Sequence, residues 1–314
     1  MRALGPHFDQ PIKPGGYAWW YLDALSEDGR QGVTIIAMLG SVFSPYYAWA
    51  RRRGIPDPLD YCGLNVALYG PRSKRWSLTE RGRASLERDA GFLSLGPSAL
   101  RWDGNALTVD IEEVTMPLPT RLRGRVRLHP AALANYQAPL DARVRHRWSP
   151  IAPRAWVEVE MSRPAVRWSG PGYFDTNAGD EPLEAAFHGW DWSRAHHRQG
   201  TTVLYHVEPQ GGEGASLAVH FGEDGSATPF EPPAPASLPP TRIWRIPRAT
   251  QADPGQPAII LRTLEDTPFY ARSIISSRIR GEKIEAVHES LSLDRFRRPW
   301  VRALLPFRMP RVPS

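Results

Sequence analysis

The sequence predicts an all-β protein built from antiparallel sheet. Three observations carry that expectation. The 314 residues include 26 Gly and 32 Pro, a load that strands joined by many turns accept and long helices do not. Several segments alternate apolar and polar residues with the two-residue period of a strand. The segments between them are turns, not the crossover helices of roughly ten to fifteen residues that join parallel strands. Rossmann and TIM architectures are therefore not expected, and a sandwich or a barrel remains.

In chain order, the first turn signal is Asp28-Gly29. Residues 79–90 read as a short helix, and residues 129–136 as a second, with Pro130 in its first turn. Asp103-Gly104-Asn105 marks a turn. The clearest strand is 121–128, where Arg121, Arg123, Arg125 and Arg127 alternate with Leu122, Gly124, Val126 and Leu128. Further strands are expected over 156–161, 202–207 and 216–221, with turns at Gly211-Gly212 and Asp224-Gly225. The proline-rich stretch 229–240 reads as a surface connection. An internal echo suggests two similar halves: Arg30-Gln31-Gly32 and Arg198-Gln199-Gly200 each follow a Trp pair and precede a strand. The expected division is a first domain over 1–165, a second over 166–295 and a basic apolar tail over 296–314.

Composition excludes several classes. A single cysteine, Cys62, rules out an intramolecular disulfide and any Cys-clustered zinc or iron–sulfur site. The net charge is +6, with Lys13, Lys74 and Lys283 as the three lysines among 39 basic residues. No helix-turn-helix, zinc-finger or RNA-binding motif accompanies that charge, so nucleic acid is not an expected partner. A diffuse positive field suits a protein working beside an anionic membrane. No secretory signal is read at the start, and the longest largely apolar run, 33–43, is too short to span a bilayer. The expected location is the cytoplasm, with association to a membrane surface open. The tail mixes Trp300, Leu304, Leu305 and Phe307 with arginines, a composition suited to an interfacial anchor or to a packed terminus.

Two constellations could carry chemistry. In a strand, residues two apart face the same side, so Tyr173, Asp175 and Asn177 would project together, as would His146 and Trp148. Two such strands meeting over one cavity would supply an acid, an imidazole and two aromatic faces. The plainer readings are a structural Tyr–Asp pair, a solvated His146 among Arg143, Arg145 and Arg147, and a core Trp148. The second constellation is His188, Asp191, His196 and His197, near Trp190 and Trp192. Its spacing fits no regular metal site, and no metal is expected. No Gly-x-Ser-x-Gly elbow, Gly-x-Gly-x-x-Gly loop or Walker pattern occurs, which argues against a serine triad and against nucleotide cofactors.

The opening Phe8-Asp9-Gln10-Pro11, then Gly15-Gly16-Tyr17-Ala18-Trp19-Trp20-Tyr21-Leu22-Asp23-Ala24, resembles the acyclic carotenoid 1,2-hydratase family, also called hydroxyneurosporene synthases. The resemblance continues through Gly40-Ser41-Val42-Phe43-Ser44-Pro45-Tyr46-Tyr47 and the 60–70 segment to Tyr173-x-Asp175-x-Asn177-x-Gly179 and Trp190-Asp191-Trp192. It implies two lipocalin-like antiparallel β-barrels with few short helices. It implies cofactor-independent addition of water to the terminal double bond of an acyclic carotenoid, at or near a photosynthetic membrane. The catalytic set it implies is Asp175, His146, Trp148 and Tyr173, with Asn177, Trp19, Trp20, Trp190 and Trp192 against the substrate. In the wider superfamily's Asp-His-Asn-Trp-Gly pattern this chain departs at Thr176 and Ala178.

The chemistry suits such side chains. Protonating an unactivated trisubstituted alkene needs a strong acid, and burial is the expected means of keeping Asp175 protonated. The resulting tertiary cation is stabilised by aromatic faces such as Trp148 and Tyr173, and water must lose a proton, a role for His146. A non-catalytic lipocalin-like carotenoid binder and a related barrel enzyme of another cationic or pericyclic reaction, such as cyclisation, are the alternatives.

Overall fold

A computed structural model describes residues 4–71 and 73–312. Positions 1–3 of the expected first domain and 313–314 of the expected tail lie outside the described residues. The chain forms two compact units, Met1–Pro182 with Ala303–Ser314, and Leu183–Arg302. Each is a lipocalin-like antiparallel β-barrel with few short helices.

In the first unit the sheet runs, strand by strand, from Arg75–Arg81 through Cys62–Tyr69, Gly32–Leu39, Tyr17–Leu25, Ala165–Gly179, His146–Arg163, Arg121–Pro130, Leu107–Val114, Ser98–Trp102 and Phe92–Leu95 to Leu86–Arg88. Alternation decides which side chains go inside. Ala18, Trp20, Leu22 and Ala24 lie on one face of their strand and join one apolar core. Leu64 and Val66 near one end of the sheet and Leu93 and Leu95 near the other belong to that same core. A flat sheet could not bring those strands together; this one curls around its interior. Arg81, on the last strand at one end, reaches into the interior to pair with Glu113 at 2.9 Å, and Ser98 Oγ donates to the same carboxylate at 2.8 Å. Burial pushes the Glu113 carboxyl upward, against the pull of the Arg81 guanidinium.

The His146–Arg163 strand pairs with Ala165–Gly179 along nearly its whole length, with two register shifts, between Pro150 and Ala152 and between Ala152 and Ala155. Before them His146 and Trp148 face away from the core; after them Val157, Val159 and Met161 face into it.

In the second unit the sheet runs from Ala227–Pro229 through Ala215–Phe221, Gly200–Pro209, Phe187–His197, Glu282–Ser292 and Tyr270–Ile279 to Ile259–Asp266. Its core gathers Ala195, Leu204, Ala218, Ile275 and Ala286. The internal echo falls on matching places. Gly32 and Gly200 each open the second strand of the first hairpin of their unit.

Several expectations are corrected. The first domain ends at Pro182 and not at 165, because Ala165–Gly179 is the return strand of a long hairpin and lies between Tyr17–Leu25 and His146–Arg163. Residues 79–90 are not helical. They finish the Arg75–Arg81 strand, whose hydrogen bonds go to Cys62–Tyr69, and after a short 3₁₀ turn begin Leu86–Arg88. His129 and Pro130 end the Arg121–Pro130 strand instead of opening a helix. The proline-rich stretch contains a strand, Ala234–Leu238, paired with Arg248–Ala252.

The end of the chain is docked on the first unit. Arg311 donates to Glu80 at 2.5 Å and to the Asp60 carbonyl at 2.9 Å, and Glu80 accepts the Val312 amide on its own carbonyl. Burial pushes the Glu80 carboxyl up to about 6 from an ordinary 4.5, more than the neighbouring Arg311 pulls it down. A carboxyl whose folded pKa is raised favours the fold below its unfolded value, and that contribution is lost as pH rises through the folded one. Chemical denaturation is expected to show stability falling by about 2 kcal/mol from pH ~4.5 to ~6.5, with the slope flattened in Glu80→Gln. An unchanged slope would mean that this carboxyl does not titrate with folding.

Candidate active site

Three neighbouring strands of the first unit, Tyr17–Leu25, Ala165–Gly179 and His146–Arg163, present a polar and aromatic face opposite the core. Register aligns the rows. Tyr21 and Pro150 flank Asp175, Trp19 and Trp148 flank Asn177, and Tyr17 and His146 flank Gly179. Tyr173 and Asp23 share the row beyond Asp175. Every one of the side chains on Tyr17–Leu25 except Leu25 is buried, so this face is as dry as the core behind it.

Asp175 is the centre of a closed cluster. Trp148 Nε1 donates to its Oδ2 at 2.7 Å, and the Tyr173 hydroxyl donates to the same oxygen at 2.8 Å. Trp148 and Tyr173 are fully buried and Asp175 is 4% exposed. Burial and the adjacent Asp175 push the Tyr173 hydroxyl well above its ordinary range, so it remains a donor. Oδ2 of Asp175 thus accepts two hydrogen bonds from the aromatic side chains around it.

His146 belongs to a second cluster two rows away, about 13 Å along the strand. The Tyr17 hydroxyl meets its Nδ1 at 2.9 Å. Its Nε2 faces Glu181 at 3.7 Å, longer than a hydrogen bond. Glu181 is held by Arg143 at 2.5 Å and Arg145 at 2.6 Å. Burial lowers the His146 pKa, opposed by Asp141 and Glu181, so the ring is neutral at neutral pH. Gly179 makes the contact possible: a Cβ there would lie 2.3 Å from the Tyr17 ring and 2.7 Å from His146 Nδ1.

Aromatic rings wall the face. Trp19 stacks on Tyr17 with centroids 4.9 Å apart, Tyr21 meets Tyr173 edge-on at 6.3 Å, and Tyr136 meets Trp148 at 6.0 Å. Trp20 does not take part. It faces the core, packs against Phe8 and donates its indole N–H to the Pro6 carbonyl, so its place is structural. Trp190 and Trp192 belong to the second unit, where Trp190 packs against Phe187 and Tyr205 and Trp192 helps line a cavity with Asp191.

Sequence reading passed over Tyr17, Tyr21, Asp23 and Glu181. The signal was present as Tyr17-x-Trp19-x-Tyr21-x-Asp23, a two-residue stripe in the most distinctive stretch of the chain. The histidines of the other constellation each have a partner of their own: His188 contacts Asp294, His196 bonds Thr201 and His197 bonds Thr202. Asp191 lines a cavity of about 90 Å³ inside the second unit, together with His288 and Gln251. Burial pushes Asp191 up to about 7 and His288 down to about 4. His288 Nε2–H donates to the Ala249 carbonyl at 2.7 Å, and Asp191 accepts from Ser290 and from the Ala249 amide. Among the described residues no group of three or more His, Cys, Asp or Glu is placed to hold a metal ion.

Two lipocalin-like barrels, one carrying a buried carboxyl clasped by an indole and a phenol, define the class: a β-barrel protein with a buried carboxyl set among aromatic rings. The family model described as carotenoid hydratase CrtC matches residues 35–314, and the chain belongs to that family. It is similar to the acyclic carotenoid 1,2-hydratase of Thiocapsa roseopersicina, 60% identical over 99% of this chain and 76% of the relative. The protein of that name from Rubrivivax gelatinosus is 50% identical over 98% and 76%. Among solved structures, a putative AttH from Nitrosomonas europaea covers 92% of this chain and 94% of its own at TM-score 0.59 and 14% identity. Kievitone hydratase from Nectria haematococca covers 93% and 94% at TM-score 0.53 and 9% identity. These two likenesses speak to the fold.

Proposed function

We propose that this chain adds water across the terminal C1–C2 double bond of an acyclic carotenoid such as lycopene or neurosporene, in carotenoid biosynthesis. The clasp of Trp148 and Tyr173 on one oxygen of Asp175 carries the reading, and the names of the two close relatives support it. The Asp175 carboxylic acid protonates C2, using the π pair to form the new C–H bond and leaving a tertiary cation at C1. Aromatic faces stabilise that cation without capturing it, at roughly 0.5–2 kcal/mol each. Water bonds to C1 and gives up a proton toward His146. The proton returns to the Asp175 carboxylate through solvent, so the enzyme ends as it began and needs no cofactor. A dry, aromatic face suits a long polyene, whose middle offers only apolar surface.

The test is anoxic incubation with lycopene in lipid dispersions made up in ¹⁸O-water, followed by mass spectrometry. The expected product gains one water carrying the heavy oxygen. Bound pigment with no gain in mass would replace the proposal with a carrier, and a product of unchanged mass would replace it with a cyclase.

The proposal extends to place: a cytoplasmic protein resting on the photosynthetic inner membrane that dissolves its substrate. Leu304 and Phe307 are exposed beside Arg308 near the end of the chain, which suits contact with a lipid surface. Among the described residues no helix is long and apolar enough to cross a membrane.

A further inference from the structure

The two clusters on the active face are neighbours along the same three strands. Asp175 stands two rows, about 13 Å along the strand, from the row that holds Tyr17 and His146. The row between them carries Trp19, Asn177 and Trp148. Trp148 reaches from that middle row to Asp175 through its indole N–H at 2.7 Å, so the two clusters are contiguous along one face.

We propose, building on the hydratase reading, that Tyr17 is the catalytic group that meets the attacking water and that Glu181 is the residue that positions His146 behind it. The Glu181 carboxylate, 3.7 Å from Nε2, attracts a hydrogen to that nitrogen, and in this tautomer Nδ1 accepts from the Tyr17 hydroxyl. As the water oxygen bonds to C1, its O–H bond breaks and the proton passes to the Tyr17 oxygen, while the phenolic proton passes to His146 Nδ1. The imidazolium is then held by Glu181, itself fixed by Arg143 and Arg145. The other charged groups beside the ring are Asp141, whose carboxylate accepts the His146 amide at 2.7 Å, and Asp180, which is paired with Arg147 and Lys13. This is the arrangement in which a base is oriented by a third group, with a phenol interposed between base and water.

Three measurements test it. Tyr17→Phe keeps the ring that stacks on Trp19 and is expected to lower kcat on the order of 10²-fold. In D₂O it is expected still to wash deuterium into recovered lycopene, because Asp175 continues to form the cation and to take a proton back from it. Asp175→Asn loses both hydration and wash-in, so the two assignments fail separately. Wild-type hydration in Tyr17→Phe, or loss of wash-in, overturns the role of Tyr17. Glu181→Gln removes an anion beside the imidazole, so the acid limb of the pH–rate profile is expected to move to lower pH; an unmoved limb overturns the role of Glu181. The third readout is independent of any substrate. Nitrogen NMR of labelled His146 is expected to show hydrogen on Nε2 and a bare Nδ1, and the opposite tautomer overturns the path even in a protein that hydrates nothing.

Discussion

Asp175→Asn is expected to lower the rate of hydration on the order of 10²–10⁴-fold while leaving the fold intact. The substitution is discriminating because it changes so little else. The amide oxygen of Asn still accepts from Trp148 Nε1 and the Tyr173 hydroxyl, which reach Oδ2 at 2.7 and 2.8 Å in the native protein. The volume is nearly unchanged, so the packed aromatic wall does not move. Only the acidic hydrogen disappears, and an amide N–H cannot protonate an alkene. Steady-state assays on lycopene paired with thermal unfolding check both halves of the expectation. Hydration at the native rate would remove Asp175 from the acid role, whatever the comparisons with relatives suggest.

Arg81→Ala is expected to destabilise the protein by about 3–5 kcal/mol, the loss that follows when one partner of a buried pair is removed and the other stays behind. The Glu113 side chain has no exposure at all and Arg81 only 9%, so water cannot replace the lost guanidinium. Ser98 and Thr79 would be left as donors to a buried carboxylate. The double substitution Arg81→Met with Glu113→Leu is expected to recover most of the loss, because the cost lies in the stranded charge and not in the absence of the pair. Urea titration of the three proteins checks this. A midpoint for Arg81→Ala equal to that of the native protein would show that the interior charge is already screened.

The strands that sequence reading found are those with one wet and one dry face. In Arg121–Pro130 the arginines are exposed, while Leu122, Val126 and Leu128 are fully buried, and the alternation announces itself. Tyr17–Leu25 hides because it is buried on both faces, and polarity contrast vanishes where core lies on one side and chemistry on the other. That is why Tyr173, Asp175 and Asn177 were legible as a stripe, while Tyr17, Tyr21 and Asp23 on the neighbouring strand were not. Residues 79–90 read as helical from their own composition, yet the Cys62–Tyr69 strand next to them needed a partner, and long-range pairing overrode local preference. The domain boundary failed for a related reason. A tight turn between Arg163 and Ala165 looks the same in sequence whether it joins two domains or the arms of one hairpin. Glu181, four residues beyond the stripe, carried no local mark, since only the fold brings it to His146.

The two register shifts in the His146–Arg163 strand have a consequence for how this chain can change. Each adds one residue against the partner strand, and one extra residue inverts the facing of everything beyond it. Together they cancel, so that His146 and Trp148 keep to the reactive side while Val157 and Val159 keep to the interior. Loss of either shift alone would turn one arm over, sending either the imidazole and indole N–H into the oily interior or the valines out of it. Along this hairpin parity is what counts: a single inserted or deleted residue turns an arm over, and only paired events leave both faces where they were.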